Sequence, residues 1–373
     1  MIYLDYAANT PPDATVLDAF CRTERTFWGN PNANHGAGQA ARREMERVTD
    51  VIAGLLGVSP AEIIYTSGAS ESNNLAVKGL AQANGQTGKH ILSTPLEHAS
   101  IRGPLSALEA LGYEVGLIPI CPDGRMDLTQ LRGLLRRDTI LVCACAVDSE
   151  LGTVQPIRQL AAILAAYPHC RLHVDATQAV GKTALALDGV DTMSMAPHKF
   201  YGLNGSGILL KRRQVVLQPQ MHGGAGATPD RSGTPALALA TSAARALSLT
   251  LTHQEERIQA VGALNAALRI ALLRYPRVQI NSPESAVPHI LNLSVRGVKG
   301  TAFQRALSEQ GVCVSVKSAC ATDGTPSAAV LAVSGDRQRA LSSWRISLSH
   351  LTTAEEVAQF LRIFDGCYQA LVP

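Results

Sequence analysis

The stretch Leu172–Leu210, LHVDATQAVGKTALALDGVDTMSMAPHKFYGLNGSGILL, decides the fold. It predicts a strand at Leu172–Val174 that ends in an acidic residue, Asp175. A second predicted strand, Thr192–Ala196, leads to Lys199 and into a turn rich in glycine and asparagine. Open α/β sheets bind ligands at the carboxyl ends of their strands, so Asp175 and Lys199 are expected at one crevice.

An acid and a lysine placed in this way suit one cofactor, pyridoxal phosphate. A lysine holds that cofactor as a Schiff base, and a carboxylate keeps the ring nitrogen protonated so that the ring withdraws electrons. The alternative is a surface lysine and a strand-end aspartate that have no common purpose.

Length and composition favour a well-buried enzyme of one large and one smaller domain. The chain has 373 residues, of which 46% are hydrophobic and 17% charged, with a net charge of +3. Its basic residues form no long run, so no nucleic-acid partner is predicted.

The compartment predicted from the sequence is the cytoplasm. No apolar run reaches the roughly 18 residues that a membrane span requires, and the first residues do not read as a signal peptide. Eight cysteines are scattered along the chain, which favours reduced thiols. Cys143 and Cys145 share one face of a predicted strand and are interpreted as core packing, and we assign no metal.

Strands and helices alternate along most of the chain, which predicts an α/β fold with a mostly parallel sheet. Predicted helices include Gly38–Leu56 and a single helix from Pro235 to about Leu273. The predicted division places residues 13–255 in a large cofactor-binding domain, and residues 1–12 with 256–373 in a small domain.

Two further segments carry possible chemistry at strand ends. The loop 67–74, SGASESNN, joins a predicted strand to a helix, and a helix N-terminus reached in this way binds anions. The alternative is that its serines only cap the helix. His98 also follows a strand, where an imidazole can stack on a planar ring and move protons, although a lone loop histidine is usually a polar surface residue.

The ordered motifs LDYAANTP, GNPNANHGAG, TSGASESNN, LEHAS, HVDATQAVGK, HKFYGLNGSG, RSGTP, KSACATDG and WRISLS resemble the cysteine desulfurases. These are fold-type I pyridoxal phosphate enzymes of the class V aminotransferase group. The resemblance covers nearly the whole chain. It implies a large domain with a mostly parallel mixed sheet flanked by helices, and a smaller α+β domain.

The resemblance implies roles around the cofactor ring. Lys199 would form the Schiff base, Asp175 would pair with the pyridine nitrogen, and Gln178 would contact the ring hydroxyl. His98 would stack on the ring and act as an acid–base group. Ser149 stands where an asparagine usually contacts the ring.

The phosphate would be bound by Ala69 and Ser70, with His198 beside them. Thr234 resembles the residue that reaches the phosphate of the neighbouring subunit, which implies a homodimer. Ala196 replaces a serine that usually binds the phosphate, so we expect cofactor binding to survive but to weaken.

The substrate implied by the resemblance is L-cysteine, with Asn34 and Arg345 holding its carboxylate. Cys320 would attack the substrate sulfur, leaving a persulfide on the protein and releasing alanine. We hypothesise that Lys317, which stands where a glycine is common, lowers the pKa of Cys320.

The departures near the site, which include Ala225 in the glycine loop, suggest a divergent member with its own sulfur acceptor or a shifted substrate. The chain ends soon after Arg345, so we expect it to lack the longer tail with which some members grip an iron–sulfur scaffold protein. The persulfide would serve iron–sulfur cluster assembly or another sulfur transfer. Alternatives are a related lyase or aminotransferase, such as selenocysteine lyase, and a non-catalytic scaffold of the same fold.

Overall fold

The computed structural model describes residues 1–224, 228–317 and 325–372. Its strands, in chain order, are β1 (Ile2–Tyr3), β2 (Ile63–Thr66), β3 (His90–Ser93), β4 (Glu114–Leu117), β5 (Thr139–Cys145), β6 (Arg171–Asp175), β7 (Thr192–Met195), β8 (Gly207–Lys211), β9 (Val278–Ile280), β10 (Ile290–Val295), β11 (Val312–Cys313) and β12 (Ser343–Ser347).

The helices are α1 (Ala14–Thr26), α2 (Gly36–Leu56), α3 (Ala69–Asn84), α4 (Ala99–Glu109), α5 (Leu128–Leu134), α6 (Ile157–Leu164), α7 (Leu237–Thr252), α8 (Gln254–Leu272), α9 (Gly300–Glu309), α10 (Ala328–Ser334), α11 (Arg337–Leu341) and α12 (Ala354–Leu371). Short 3₁₀ turns lie at Pro60–Glu62 and Pro197–Lys199.

The largest sheet has seven strands in the order β2-β8-β7-β6-β5-β3-β4. Strand β8 runs antiparallel to both of its neighbours, whereas the other adjacent pairs are parallel. This arrangement confirms the predicted mostly parallel mixed sheet. Strand β5 is buried along its whole length, as expected for a central parallel strand, and Cys143 and Cys145 lie in that buried stretch.

The prediction of a single helix from Pro235 to about Leu273 is wrong, because two helices occupy this stretch. The backbone leaves helical geometry at His253, which separates α7 from α8. Helix α7 packs on α1 and α2 over the large sheet, whereas α8 packs on α12. The Thr250 hydroxyl, near the end of α7, donates a hydrogen bond to the Phe200 carbonyl and so ties this end of the helix to the turn that carries Lys199.

The three-stranded sheet β12-β10-β9 forms a second, smaller unit with its own hydrophobic core. Phe303 stacks on Trp344 in that core, with ring centroids 5.3 Å apart. Strand β1 pairs in parallel with β11, so the N-terminus packs on this unit before the chain reaches the large sheet. The division at residues 12 and 255 stays a prediction.

The described cysteines all carry free thiols. Among the helices described, none is both long enough and apolar enough to cross a membrane.

Glu97 ties two neighbouring strands together at the carboxyl edge of the large sheet. Its Oε1 accepts hydrogen bonds from the Thr94 hydroxyl (2.7 Å) and from the backbone N–H of Cys145 at the end of β5 (2.9 Å). The side chain is buried, and this burial raises its pKa to about 7. The folded protein therefore holds a proton on Glu97 under conditions in which the unfolded chain has lost it.

This raised pKa gives the stability a definite pH dependence. Between about pH 5 and pH 7 only the unfolded chain releases the Glu97 proton, so Glu97 lowers the free energy of unfolding as pH rises, by about 3 kcal/mol in total. Glu97→Gln should therefore lose less stability than the parent between pH 5 and pH 8 in urea unfolding. Glu109→Gln, an exposed change on α4, is the control. Identical pH dependence in both variants would contradict this account.

Candidate active site

The carboxyl ends of β3, β5, β6 and β7 meet at one cleft of about 330 Å³. The cleft is lined by Ala7, Ala8, Ser67, Gly68, Ala69, Ser70, Glu71, Leu96, His98, Ser100, Cys145, Val147, Ser149, Asp175, Thr177, Gln178, Ala196, His198, Lys199 and Arg345. Most of the residues singled out from the sequence thus lie around one cavity, although their motifs are far apart in the chain.

Asp175 ends β6 with its carboxylate fixed in orientation. Its Oδ1 accepts the backbone N–H of Thr177 (2.9 Å), and its Oδ2 accepts a hydrogen bond from the Asn73 side chain (2.9 Å). The side chain is only 6% exposed, and it lines the cleft. A carboxylate held in this way presents its remaining lone pairs in a fixed direction.

Lys199 reaches the cleft from the 3₁₀ turn that follows β7. Its ammonium donates to the backbone carbonyls of Ala7 (3.0 Å) and Ala8. Gln178 donates its amide N–H to the same Ala7 carbonyl at 2.8 Å. The N-terminal segment therefore supplies main-chain acceptors that sequence reasoning did not assign to the site.

A second lysine, Lys182, lies directly behind Gln178. Its amine donates to Gln178 Oε1 at 2.5 Å, which fixes the orientation of the amide, so that one Gln178 N–H donates to the Ala7 carbonyl. Loss of solvation, reinforced by the charge of Lys199, lowers the pKa of Lys182 to about 7. This residue stood in the quoted motif, but nothing in the pattern marked its amine as a support for Gln178.

Helix α3 points its N-terminus at the cleft, where Ala69 and Ser70 form its first turn. The loop before the helix lies tightly against β8: a Cβ on Gly207 would come within 2.4 Å of Thr66 Oγ1 and 2.6 Å of the Gly68 carbonyl carbon. First-turn N–H groups have no partner within a helix, so this end favours an anion.

Two histidines that line the cleft with the N-terminus of α3, His98 and His198, are kept neutral by their surroundings. Burial lowers the pKa of His98, and the charge of Lys199 adds to this effect. Burial and Lys199 likewise lower the pKa of His198 to about 4. His98 Nδ1 lies 2.8 Å from the Ser100 hydroxyl and accepts the Ser100 backbone N–H at 3.1 Å.

Arg345 brings a buried positive charge to the opposite wall of the cleft. Its side chain is 2% exposed, and one Nη donates to Asp5 Oδ1 (3.0 Å) while the other donates to the Ser149 carbonyl (2.6 Å). Its buried Nε makes no hydrogen bond to the described residues. A guanidinium held in this way is ready to bind a carboxylate.

Cys145 also lines the cleft, although the sequence marked it only as core. Burial, reinforced by the charge of Glu97, raises the pKa of its thiol well above its ordinary value. A thiol held protonated in this way is a poor nucleophile, so its position does not make it a reactive group.

Some predicted site residues do not line this cleft. Asn34 is exposed in the loop before α2. Thr234 is exposed in the segment before α7, three residues after Arg231, which forms an ion pair with Glu71. Cys320 and Ala225 lie outside the described residues. The geometry therefore brings Arg345 together with the predicted ring groups and with Ala69, Ser70 and His198, but not with Asn34 or Thr234. It tests neither the predicted nucleophile nor the predicted contact between subunits.

The chemistry of the cleft fits pyridoxal phosphate. Helix α3 offers backbone donors to a phosphate, Asp175 offers a buried acceptor to a ring nitrogen, and Lys199 offers an amine to an aldehyde. The volume of the cavity admits a small aromatic ligand.

Comparisons with known proteins agree with this geometry. The family model for aminotransferase class-V matches residues 2–360. A NifS/IcsS protein homolog from Lactobacillus delbrueckii subsp. bulgaricus is 37% identical over 99% of this chain and 97% of its own length. The cysteine desulfurase IscS of Dictyoglomus turgidum is 34% identical over 99% of this chain and 95% of its own. A solved NifS-like protein superposes with a TM-score of 0.93 at 33% identity, covering 99% of this chain and all of that one. The chain belongs to the aminotransferase class-V family.

Proposed function

We propose that this protein is a pyridoxal phosphate-dependent cysteine desulfurase that converts L-cysteine to L-alanine and passes the sulfur to Cys320. The observation that carries the proposal is the cleft in which Asp175, Lys199 and His98 face a buried Arg345. Relatives named cysteine desulfurase match nearly the full length of the chain, which supports the same activity. An acceptor protein then takes the sulfur from Cys320 for cluster assembly or another sulfur transfer.

The same proposal assigns residues of the cleft to the cofactor. Lys199 binds its aldehyde covalently, Asp175 binds the ring nitrogen, and Gln178 turns an amide N–H toward the ring hydroxyl. The N-terminus of α3, through Ala69 and Ser70, binds the phosphate with His198 beside it. Bound pyridoxal phosphate supplies a ring that takes up electron density from the α-carbon of an amino acid.

Arg345 binds the carboxylate of the amino acid. Asp5 and the Ser149 carbonyl orient its guanidinium, so the arginine loses little freedom when the substrate binds. Asn34 joins it as a second carboxylate ligand in our proposal. His98, neutral at physiological pH, has an imidazole that can accept and return a proton beside the amino acid.

The sulfur step balances without an outside oxidant. The Cys320 thiolate uses its electron pair to form a bond to the substrate sulfur, and the carbon–sulfur bond of the substrate breaks. The electron pair of that bond stays with the β-carbon, which takes a proton to become the methyl group of alanine. Cys320 is left as a persulfide, from which a thiol reductant releases sulfide.

The direct test measures alanine and sulfide formed from L-cysteine in the presence of dithiothreitol. The parent should form both in equal amounts, and Cys320→Ser should form neither, because a hydroxyl does not take up sulfur. Cys21→Ser, which changes an exposed cysteine on α1, should match the parent. Full product from Cys320→Ser would favour a lyase that releases sulfur directly, and selenocysteine as substrate would then identify a selenocysteine lyase.

Arg345→Lys tests the carboxylate site. A lysine keeps the charge but loses the planar fork, so the KM for cysteine should rise roughly 10- to 100-fold, the equivalent of one lost charge-assisted hydrogen bond. Steady-state kinetics at pH 8 measure this change, with Arg337→Lys on the exposed face of α11 as the control. An unchanged KM in Arg345→Lys would place the carboxylate elsewhere.

We also propose that the enzyme is a homodimer in which Thr234 of one protomer binds the cofactor phosphate of the other. The exposure of Thr234, away from the cleft of its own chain, supports this assignment. Sedimentation should give twice the chain mass, and Thr234→Val should retain the cofactor about tenfold less tightly. A monomer that retains its cofactor would refute the proposal.

The compartment that we propose is the cytoplasm. Free thiols at the described cysteines suit a reducing environment. Fractionation of cells that express the protein tests this proposal. Recovery of the protein outside the cytoplasmic fraction would overturn it.

A further inference from the structure

Asn73 lies behind the cleft wall and connects two of the groups that face the cavity. It belongs to α3, is fully buried, and does not line the cleft. Its side-chain N–H groups donate to Asp175 Oδ2 (2.9 Å) and to Ser100 Oγ (2.8 Å). Its carbonyl oxygen accepts from the Ser194 hydroxyl and faces His173 Nε2 at 3.1 Å. All four hydrogen-bonding positions of the amide are therefore used.

The orientation of this amide is fixed by its neighbours. The Asp175 carboxylate only accepts hydrogen bonds, so the NH₂ group of Asn73 must face it and the carbonyl must face the other way. Burial lowers the pKa of His173 to about 4, so this histidine is neutral. Its Nε2 must then carry the hydrogen that the Asn73 carbonyl accepts, while its Nδ1 accepts from Thr192 Oγ1 at 2.9 Å.

Ser100 connects Asn73 to His98. Because Ser100 Oγ accepts from Asn73, its own hydrogen is free to donate to His98 Nδ1 at 2.8 Å. The Ser100 backbone N–H donates to the same nitrogen at 3.1 Å. With two donors aimed at Nδ1, the hydrogen of neutral His98 belongs on Nε2.

We infer that Asn73 is a positioning residue that reinforces the Nε2–H tautomer of His98 and orients Asp175 through one buried hydrogen-bond network. The inference rests on the proposed function for its catalytic meaning, because Asp175 and His98 are there the partners of the cofactor. Asn73 itself touches neither cofactor nor substrate. Its helix also supplies the proposed phosphate site, so α3 links the ring and phosphate ends of the cleft.

The network also opposes protonation of His98. A hydrogen on Nδ1 would face the Ser100 backbone N–H. The Ser100 hydroxyl would also have to turn its own hydrogen away and accept on its one remaining lone pair, because Asn73 already donates to the other. The charged groups that act on His98 are Asp175, which favours the imidazolium, and Lys199 and Arg102, which oppose it. Without Asn73, both lone pairs of Ser100 Oγ are available to a protonated Nδ1, so the protonated form of His98 should become easier to reach.

The tautomer is read directly by NMR of ¹⁵N-histidine-labelled protein, purified with its cofactor. The His98 signals are assigned by their loss in His98→Gln, and the nitrogen shifts report which atom carries hydrogen. The parent should carry it on Nε2. Asn73→Leu and Ser100→Ala should both move the protonation midpoint of His98 to higher pH, whereas Asn74→Ala, one position along α3, should not. Ser100→Ala is a small change that keeps the test available if Asn73→Leu fails to fold.

Cofactor affinity distinguishes the two connections that Asn73 makes, one to Asp175 and the other through Ser100 to His98. Asn73→Leu should weaken binding of pyridoxal phosphate about tenfold, because Asp175 loses one of its two orienting donors. Ser100→Ala keeps that donor and should bind the cofactor as the parent does. Two results would overturn the inference. One is a hydrogen on Nδ1 of His98 in the parent protein, and the other is a His98 protonation midpoint in Asn73→Leu equal to that in Asn74→Ala. These readouts need no turnover, so a failure to form alanine would reject the proposed function and leave this result standing.

Discussion

The constraint on which the site depends is that buried charges need fixed hydrogen-bond partners. Asp175 and Arg345 are almost fully removed from water, and each would be costly there without such partners. Asp175 receives hydrogen bonds from Thr177 and Asn73, and Arg345 gives them to Asp5 and to the Ser149 carbonyl. These partners orient the charges before any ligand arrives, which lowers the cost of binding.

The partners come from both structural units, so the two units must meet for the cleft to be complete. Asp5 follows a strand that packs on the small unit, and Arg345 lies in the small sheet itself. Asp175 ends a strand of the large sheet, and Lys199 and His98 follow two others. The N-terminal segment crosses between them, because the carbonyls of Ala7 and Ala8 receive the Lys199 ammonium. A segment with little regular structure thereby becomes part of the site.

Sequence reasoning located the groups that follow strand ends and missed those defined by contacts distant in the chain. Asp175, Lys199 and His98 were predictable because parallel strands bring their carboxyl ends to one edge. Asn73 was not, because its partner Asp175 lies 102 positions away and nothing local distinguishes it from a residue of an ordinary helix. The break at His253 was not predicted for a related reason. The hydrophobic pattern runs on from α7 into α8, but the two helices pack on different units.

Ser149 and Ala196, noted as departures from the family pattern, both line the cleft, and Ser149 contributes its backbone carbonyl to Arg345.

The most direct test of this account asks which lysine binds the cofactor. Two amines lie close to Gln178: Lys199, at the cleft, and Lys182, whose lowered pKa would also make it reactive toward an aldehyde. Borohydride reduction of the cofactor-loaded protein, followed by peptide mass spectrometry, locates the covalent bond. We predict a phosphopyridoxyl group on Lys199 and none on Lys182. A label on Lys182, or on a surface lysine in place of Lys199, would contradict it.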